Sequence, residues 1–470
     1  MPNIFRNLPS VNQLLENARL KELVDNVNHR VVVDGVRTFF DDLRVQVSAA
    51  AEDVSIPTPQ ELADRIADWL ETEEQPALRP VINATGVILH TGLGRAPLAP
   101  AAANAVSAIA AGYASVEVDL RDGQRGQRIR AVERLLCELT GAEAAAVVNN
   151  NAAATMLVLS AIAKNKEVIV SRGQLIEIGG SYRLPDVMEC SGAKLKEVGT
   201  TNKTHPSDYS NAINEETGAL LRVHPSNFEV VGFTKSVSTR ELADIATPHN
   251  LPVIDDIGSG ALIDFSKYGL TDEPVASDSI RDGADIALFS GDKLIGGPQC
   301  GIIVGKKKYI QKILSDPLMR AMRVGKMTLA ALSATLQLYR NADEAEQSVP
   351  ILQMLSTPIE NLKLRAEKAA AQLGSSSKLK DITIVEDHSM LGGGSLPTQR
   401  IPTWCVSFAA AEGSISSLAT AMREANPPIF GRVNKDRMLL DMRTVRPSED
   451  IALVDSMLAI GTEASTESPE

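Results

Sequence analysis

Apolar positions change their period along this chain. In "SVNQLLENARLKELVDN" they fall at 11, 14, 15, 20, 23 and 24, close to helical spacing, with Ser10 as an N-cap. "VVVDGVRTFFDDLRVQV" continues the helical reading less distinctly. "TPQELADRIADWLETEEQ" opens on Thr58 and Pro59, with Glu61 three residues after the threonine, the pattern of a capped helix start. Residues 1–78 therefore read as a small helical domain, and Pro76 to Pro80 as a linker.

From about residue 81 the pattern shifts. Short apolar runs, "AAAVVNN", "EVIVS", "GALLRVH", "PVIDD", "DIALFS" and "CGIIVG", alternate with helical segments at 127–139, 152–164 and 238–247. Such alternation predicts an α/β fold, a parallel sheet covered by helices. A long helical stretch over 306–341 follows, then a helix at 358–374, a strand "DITIVED", a glycine-rich turn "LGGGS" and a strand "IPTWCVSFA". The expected layout is a large α/β domain at 79–335, a smaller C-terminal α+β domain at 336–462, and a polar, disordered tail at 463–470.

Composition narrows the classes. A chain of 470 residues is too long for one ordinary core. The net charge of −12 argues against diffuse, charge-driven nucleic-acid binding. A local basic surface stays open, since residues 1–50 hold six Lys/Arg against six Asp/Glu and are neutral within an acidic chain. No apolar run approaches the ~18 residues of a membrane span, and "MPNIFRNLPS" lacks the apolar segment of a signal peptide. No membrane and a cytoplasmic location are expected. The four cysteines are scattered and the six histidines form no HxxxH or HExxH pattern, so neither a disulfide nor a metal site is expected.

Candidate chemistry gathers at "ALFSGDKLIGGPQCG", 287–301. A strand ends there in Ser290, Gly291, Asp292 and Lys293, at the sheet edge where open α/β sheets bind ligands. Buried beside a cofactor, a lysine can lose its charge and act as an amine nucleophile. Upstream, "LPVIDDIGSG" is an apolar strand ending in Asp255 and Asp256. A strand-end aspartate followed by a strand-end lysine suits pyridoxal 5'-phosphate (PLP): the lysine holds the aldehyde, and the aspartate keeps the pyridine nitrogen protonated. Asp255 is the preferred acid, as the first polar residue after the run; Asp256 would face the other way. "VVNNNAAATMLVLSAIA" supplies a strand, then Asn149, Asn150, Asn151 and Ala152 opening a helix, a place for a phosphate, to which Ser290 could add a hydroxyl. "HTGLGRAPL" lacks the third glycine of a dinucleotide fingerprint.

Longer motifs surround these residues. "LPSVNQLL", "VINATGVILHTGLGRAPL", "RVHPSNFEVVGFT", "IDDIGSGAL", "FSGDKLIGGPQCGIIVGKK" and "GGGSLPTQRIPTW" together resemble the bacterial selenocysteine synthase family, L-seryl-tRNA(Sec) selenium transferases, over nearly the whole chain. The resemblance implies the aspartate-aminotransferase-like fold (PLP-dependent transferase fold type I), with PLP on Lys293. It also implies that the seryl group of seryl-tRNA(Sec) displaces the lysine. Loss of the α-proton and of water would give an aminoacrylyl intermediate, and selenium from selenophosphate would add to form selenocysteinyl-tRNA(Sec).

The family's selenophosphate pocket implies roles for Arg95, Arg320 and Arg323, together with Asp292. Arg320 and Arg323 are expected on one face of a helix, and guanidinium forks suit phosphate-like anions. The helical N-terminal domain is implied to recognise tRNA(Sec), with Arg6, Arg19, Lys21, Arg30 and Arg37 as candidate contacts. A homodecamer, a ring of five dimers, is implied as well. Asn12 stands where an acid is common, and Cys300 where a small residue such as alanine is common; a small buried filler is the simpler reading of Cys300. The alternative is another PLP lyase of this fold, acting on a free amino acid or sugar-acid phosphate, which would need no N-terminal RNA domain.

Overall fold

Consecutive residues Val168, Ile169 and Val170 are all buried, as are Ile286 through Phe289 and Ile302 through Val304. Neighbouring residues of a strand point to opposite faces, so protein must cover both faces of this sheet. Its strands are β1 (Ala144–Val148), β2 (Glu167–Ser171), β3 (Lys194–Val198), β4 (Thr217–Val223), β5 (Val253–Gly258), β6 (Ile286–Ser290) and β7 (Gly301–Gly305). Their order is β1-β7-β6-β5-β4-β2-β3. One apolar cluster takes Ala145, Val147, Ala287, Phe289, Ile302 and Val304; another takes Ala144, Ala146, Val148, Leu288 and Ile303.

The computed structural model describes residues 9–49, 57–73, 76, 78–179, 182–271, 273–392 and 395–460. The chain divides into two compact units, Met1–Pro80 and Val81–Glu470. Arg6 and the tail 463–470 lie outside the described residues.

The first unit contains the helices Val11–Leu14, Ala18–Asn26, His29–Ala49 and Pro59–Glu73. They close around Leu14, Leu20, Val32, Val36, Phe40, Leu62, Ile66 and Leu70. The single helix expected over the first motif is two. Asn17 interrupts it, its side chain accepting from Arg19 N–H at 2.9 Å and so capping the second helix. The Thr58–Glu61 cap forms, with the Glu61 carboxylate accepting from Thr58 N–H at 2.7 Å. Arg19 is held by Asp68 at 2.7 Å and Glu71 at 3.0 Å, while Arg30 and Arg37 flank Asp34 at 3.6 and 3.2 Å. Lys21 is exposed.

In the second unit, strands β2 to β6 are parallel, as expected, but β7 runs antiparallel to both β1 and β6. A parallel neighbour needs a crossover of about a dozen residues or more, and the connection 291–300 is too short for one. The chain therefore turns straight back, and Lys293 sits in that turn.

The expected helices at 127–139, 152–164 and 238–247 are Arg130–Thr140, Asn151–Ala163 and Thr239–Ala246. The long stretch at 306–341 is broken into Lys307–Leu314, Leu318–Met322 and Lys326–Leu338. Pro317, which has no N–H, and Gly325 stand at the breaks. Arg323 is extended (φ −72°, ψ 144°) just beyond its helix, so it does not share a helical face with Arg320.

The C-terminal part pairs two long antiparallel strands, Leu379–Gly392 and Ser395–Ala410, and adds Arg437–Asp441 and Arg432–Asn434. Helices Ile359–Leu373, Ile415–Glu424 and Asp450–Ala459 accompany this sheet, around a core that includes Leu362, Val406, Phe408, Leu440 and Leu453.

Candidate active site

The turn between β6 and β7 is pinned from within. Gly291 N–H donates to the Cys300 carbonyl, Gly297 N–H to that of Gly291 and Gly296 N–H to that of Lys293, each at 2.9 Å. Its glycines answer to close packing. A Cβ on Gly291 would collide with Cys300 Sγ, and one on Gly301 with the Asn150 carbonyl. The turn is thereby seated on the start of the helix Asn151–Ala163. Cys300 is fully buried, which pushes its thiol up and keeps it a filler rather than a nucleophile.

Lys293 is 6% exposed. Burial lowers its ammonium from the ordinary lysine value, and Arg95 lowers it further; Asp292, Asp256 and Glu273 act in the opposite sense. Arg95 Nη1 donates to Asp292 Oδ2 at 2.8 Å, joining two parts of the chain far apart in sequence. Arg95 has φ +62°, a region that side-chain-bearing residues seldom adopt. Arg95 and Asp292 line a cavity of about 410 Å³ with Gly297, Pro298 and Gln299.

The two aspartates of β5 part company. Asp255, 1% exposed, accepts from Arg222 at 2.8 Å, Thr239 Oγ1 at 2.9 Å and Ser279 Oγ at 2.6 Å. Its charge is already met by a cation. Asp256, 4% exposed, accepts from Asn151 Nδ2 and Thr155 Oγ1, both at 2.9 Å, and from Gly258 N–H at 3.2 Å. All three are neutral donors, and burial raises its carboxyl above the usual range. The sequence reading preferred Asp255 as the cofactor's acid; in the structure that carboxylate is taken up by Arg222, Thr239 and Ser279. Alternation along the strand turns Asp256, not Asp255, toward the Asn151 helix and into the field of Lys293.

Asn150 caps that helix, its Oδ1 accepting from Ala153 N–H at 2.8 Å. The Asn151 and Ala152 N–H groups belong to the first turn, where no intrahelical acceptor exists and the helix dipole favours an anion. Asn151 Oδ1 is buried without a partner. Ser290 is buried at the end of β6. These residues fit PLP at three points. A helix start suits the phosphate, a buried carboxyl met only by neutral donors suits a protonated ring nitrogen, and a buried lysine with a lowered ammonium suits the aldehyde.

Arg320 and Arg323 stand apart from this group. Asn149 N–H donates to the Met322 carbonyl at 2.9 Å, so the backbone passes the helix start. The Arg323 guanidinium turns instead to Glu117 at 3.2 Å, which also takes Arg128 at 2.9 Å and Arg125 at 3.3 Å. Arg320 is exposed and lines, with Arg323 and Arg128, a cavity of about 370 Å³. The charges acting most on Lys293 are those of Arg95, Asp292, Asp256 and Glu273.

Sequence reasoning missed Thr155, Arg222 and His224. Thr155 was legible as the i+4 neighbour of Asn151 on the helix. Arg222 becomes visible only through the register that sets it beside Asp255. His224 follows β4, and its imidazole is pushed down to about 4 by burial and by Arg222. Among the described residues, no cluster of His, Cys, Asp and Glu could hold a metal ion, and no helix is long and apolar enough to cross a membrane.

Comparison with known proteins places the chain. The chain matches the family model for L-seryl-tRNA selenium transferase over residues 81–446 and that for the selenocysteine synthase N terminus over residues 5–44. It is 46% identical to the L-seryl-tRNA(Sec) selenium transferase of Moorella thermoacetica, covering 97% of both chains. It is also 46% identical to that of Alkaliphilus oremlandii, covering 95% of this chain and 96% of the other. Among solved structures it resembles D-glucosaminate-6-phosphate ammonia-lyase, with a TM-score of 0.56 at 21% identity over 82% of this chain and 96% of the other; that likeness concerns the fold. Matched along nearly its whole length, the N-terminal segment included, this chain belongs to the L-seryl-tRNA selenium transferase family.

Proposed function

We propose that the protein converts seryl-tRNA(Sec) to selenocysteinyl-tRNA(Sec) with selenophosphate as selenium donor, using PLP on Lys293. The observation that carries this reading is the full-length match, N-terminal segment included, to proteins of that name. The buried Lys293, in the field of Asp256 and of the Arg95–Asp292 pair, supports it.

Asn150, Asn151 and Ala152 would hold the phosphate at the helix start, and Asp256 would hold the proton on the ring nitrogen. When bound, PLP supplies a sink for the electron pair left as the α-proton departs. Lys293 Nζ, its ammonium lowered by burial and Arg95, is suited to take that proton and to return it to the departing hydroxyl. Burial of the lysine and its acid excludes water from the proton transfers. The Arg95 guanidinium, anchored by Asp292, faces a cavity of a size for a small anion such as selenophosphate.

Arg320 and Arg323 form a separate basic cluster within one chain. We assign them to the same anion only as contributions from a second copy, consistent with the homodecamer that the family resemblance implies. In the N-terminal unit, Lys21 is the best placed of the described candidates for RNA, since Arg19, Arg30 and Arg37 are engaged with carboxylates. A cytoplasmic location goes with this substrate.

The test is conversion of seryl-tRNA(Sec) in the presence of selenophosphate, with Lys293→Ala and ordinary seryl-tRNA(Ser) as controls. Selenocysteinyl-tRNA is expected from the intact protein on the Sec tRNA alone. A PLP-loaded protein that makes no product from any seryl-tRNA, but eliminates water or ammonia from a free amino acid or sugar-acid phosphate, would replace this reading.

A further inference from the structure

A second cavity is larger than the one at Arg95. It measures about 460 Å³ and opens at the carboxyl ends of β2, β3 and β4, in the size range of pockets for small organic groups. Its wall combines the apolar faces of Pro225 and Phe228 with Gln174, Arg222, His224 and the exposed Lys235. His224 ties it to the reaction centre. Its N–H donates to the Asp256 carbonyl at 2.8 Å, and its imidazole lies in the field of Lys293. The Arg222 Nε is buried without a partner at this wall. Beside the cavity, Phe233 is 87% exposed with Lys203 Nζ 5.7 Å from its ring centre.

A seryl ester on RNA is attached to the ribose of the last nucleoside, an adenosine. Whatever brings the seryl group to Lys293 must lodge that nucleoside within a few bonds of it. Single-stranded nucleic acid is held by aromatic faces for bases and by cations for phosphates. This cavity offers both, with amide and hydroxyl groups for the base edge and sugar. We propose that it binds the 3'-terminal adenosine of the substrate, with the base against Phe228 and the preceding phosphate toward Lys235. The proposal rests on the seryl-tRNA reading above.

The test uses the full-length, PLP-loaded protein and 5'-labelled ribotrinucleotides, CCA and CCC, titrated by fluorescence anisotropy. CCA is expected to bind more tightly than CCC, because the larger purine stacks over more area and offers the cavity's amide and hydroxyl groups a different edge. Phe228→Leu keeps apolar volume where Phe228 packs on the core but removes the ring. It should weaken CCA about tenfold and raise KM for seryl-tRNA(Sec) with little change in kcat. Lys235→Ala, at an exposed position, should weaken CCA and flatten its salt dependence. Equal binding of CCA and CCC, no detectable binding of either, or a Phe228→Leu enzyme with unchanged CCA affinity and KM, would overturn the assignment while conversion by the wild type kept the seryl-tRNA reading intact. Failure of the wild type to convert seryl-tRNA(Sec) would instead remove the reading on which the proposal rests.

Discussion

Asp255 and Asp256 are the same residue type, adjacent on one buried strand, and their surroundings differ in a way that decides what each can do. One is neutralised by Arg222 and held by two hydroxyls from helices. The other meets an amide, a hydroxyl and a backbone N–H, none of them charged. A buried carboxylate with a cation in place is a structural pair, and removing one partner leaves the other charge stranded. A buried carboxyl surrounded by neutral donors has capacity left for a proton or a cationic N–H brought by a ligand. Identical chemistry in the sequence is thus divided by the pleat into a carboxylate paired with a cation and one met only by neutral donors.

The largest effect expected along this division is on activity at Asp256. Asp256→Asn should lower kcat by about 10²–10⁴-fold, the range for loss of a positioned proton-holding group, with the melting temperature nearly unchanged. Asp255→Ala should do the reverse, costing about 3–5 kcal/mol of stability by stranding Arg222 while the remaining folded protein keeps most of its turnover. Denaturation curves and rates measured side by side would break the comparison if the two outcomes were exchanged.

A smaller effect is expected at Arg95, which lowers the Lys293 ammonium. In Arg95→Gln that influence is gone and the folded-state value of Lys293 rises. The rate at which cofactor-free protein takes up PLP should then reach half its maximum at a higher pH than in the wild type. An unchanged pH profile would separate Arg95 from the lysine.

The smallest effect belongs to His224. Its folded-state value lies at about 4, below the ordinary imidazole value of about 6.5. The unfolded chain therefore binds the proton first as pH falls. Stability attributable to this group is complete above about 6.5 and is lost progressively down to about 4. Arg222, Asp255 and Lys293 are the charges around it. His224→Asn should flatten the stability profile within that window, measured by urea denaturation at stepped pH.

Much of this was legible beforehand. The change of period near residue 81 marked the border between the two units, and Thr58 with Glu61 marked a helix start that forms as read. Lys293 at a strand end and the helix opening at residues 149–151 were singled out because strand ends and helix starts have local signatures. The breaks of the long helix at Pro317 and Gly325 were also written in the residues, yet apolar periodicity on both sides masked them, and with the second the separation of Arg323 from the helix that carries Arg320.

By itself the sequence determined the alternation of strands and helices, the helical N-terminal unit, a lysine at a strand end and the family motifs, because each depends on neighbours a few residues away or on an unbroken string. Tertiary structure decided which aspartate lies in the field of Lys293, that Arg95 reaches Asp292 and that Arg323 turns to Glu117. Those outcomes turn on strand register, on the parity of side chains across a sheet and on contacts between segments hundreds of residues apart. None of these leaves a local mark in the chain.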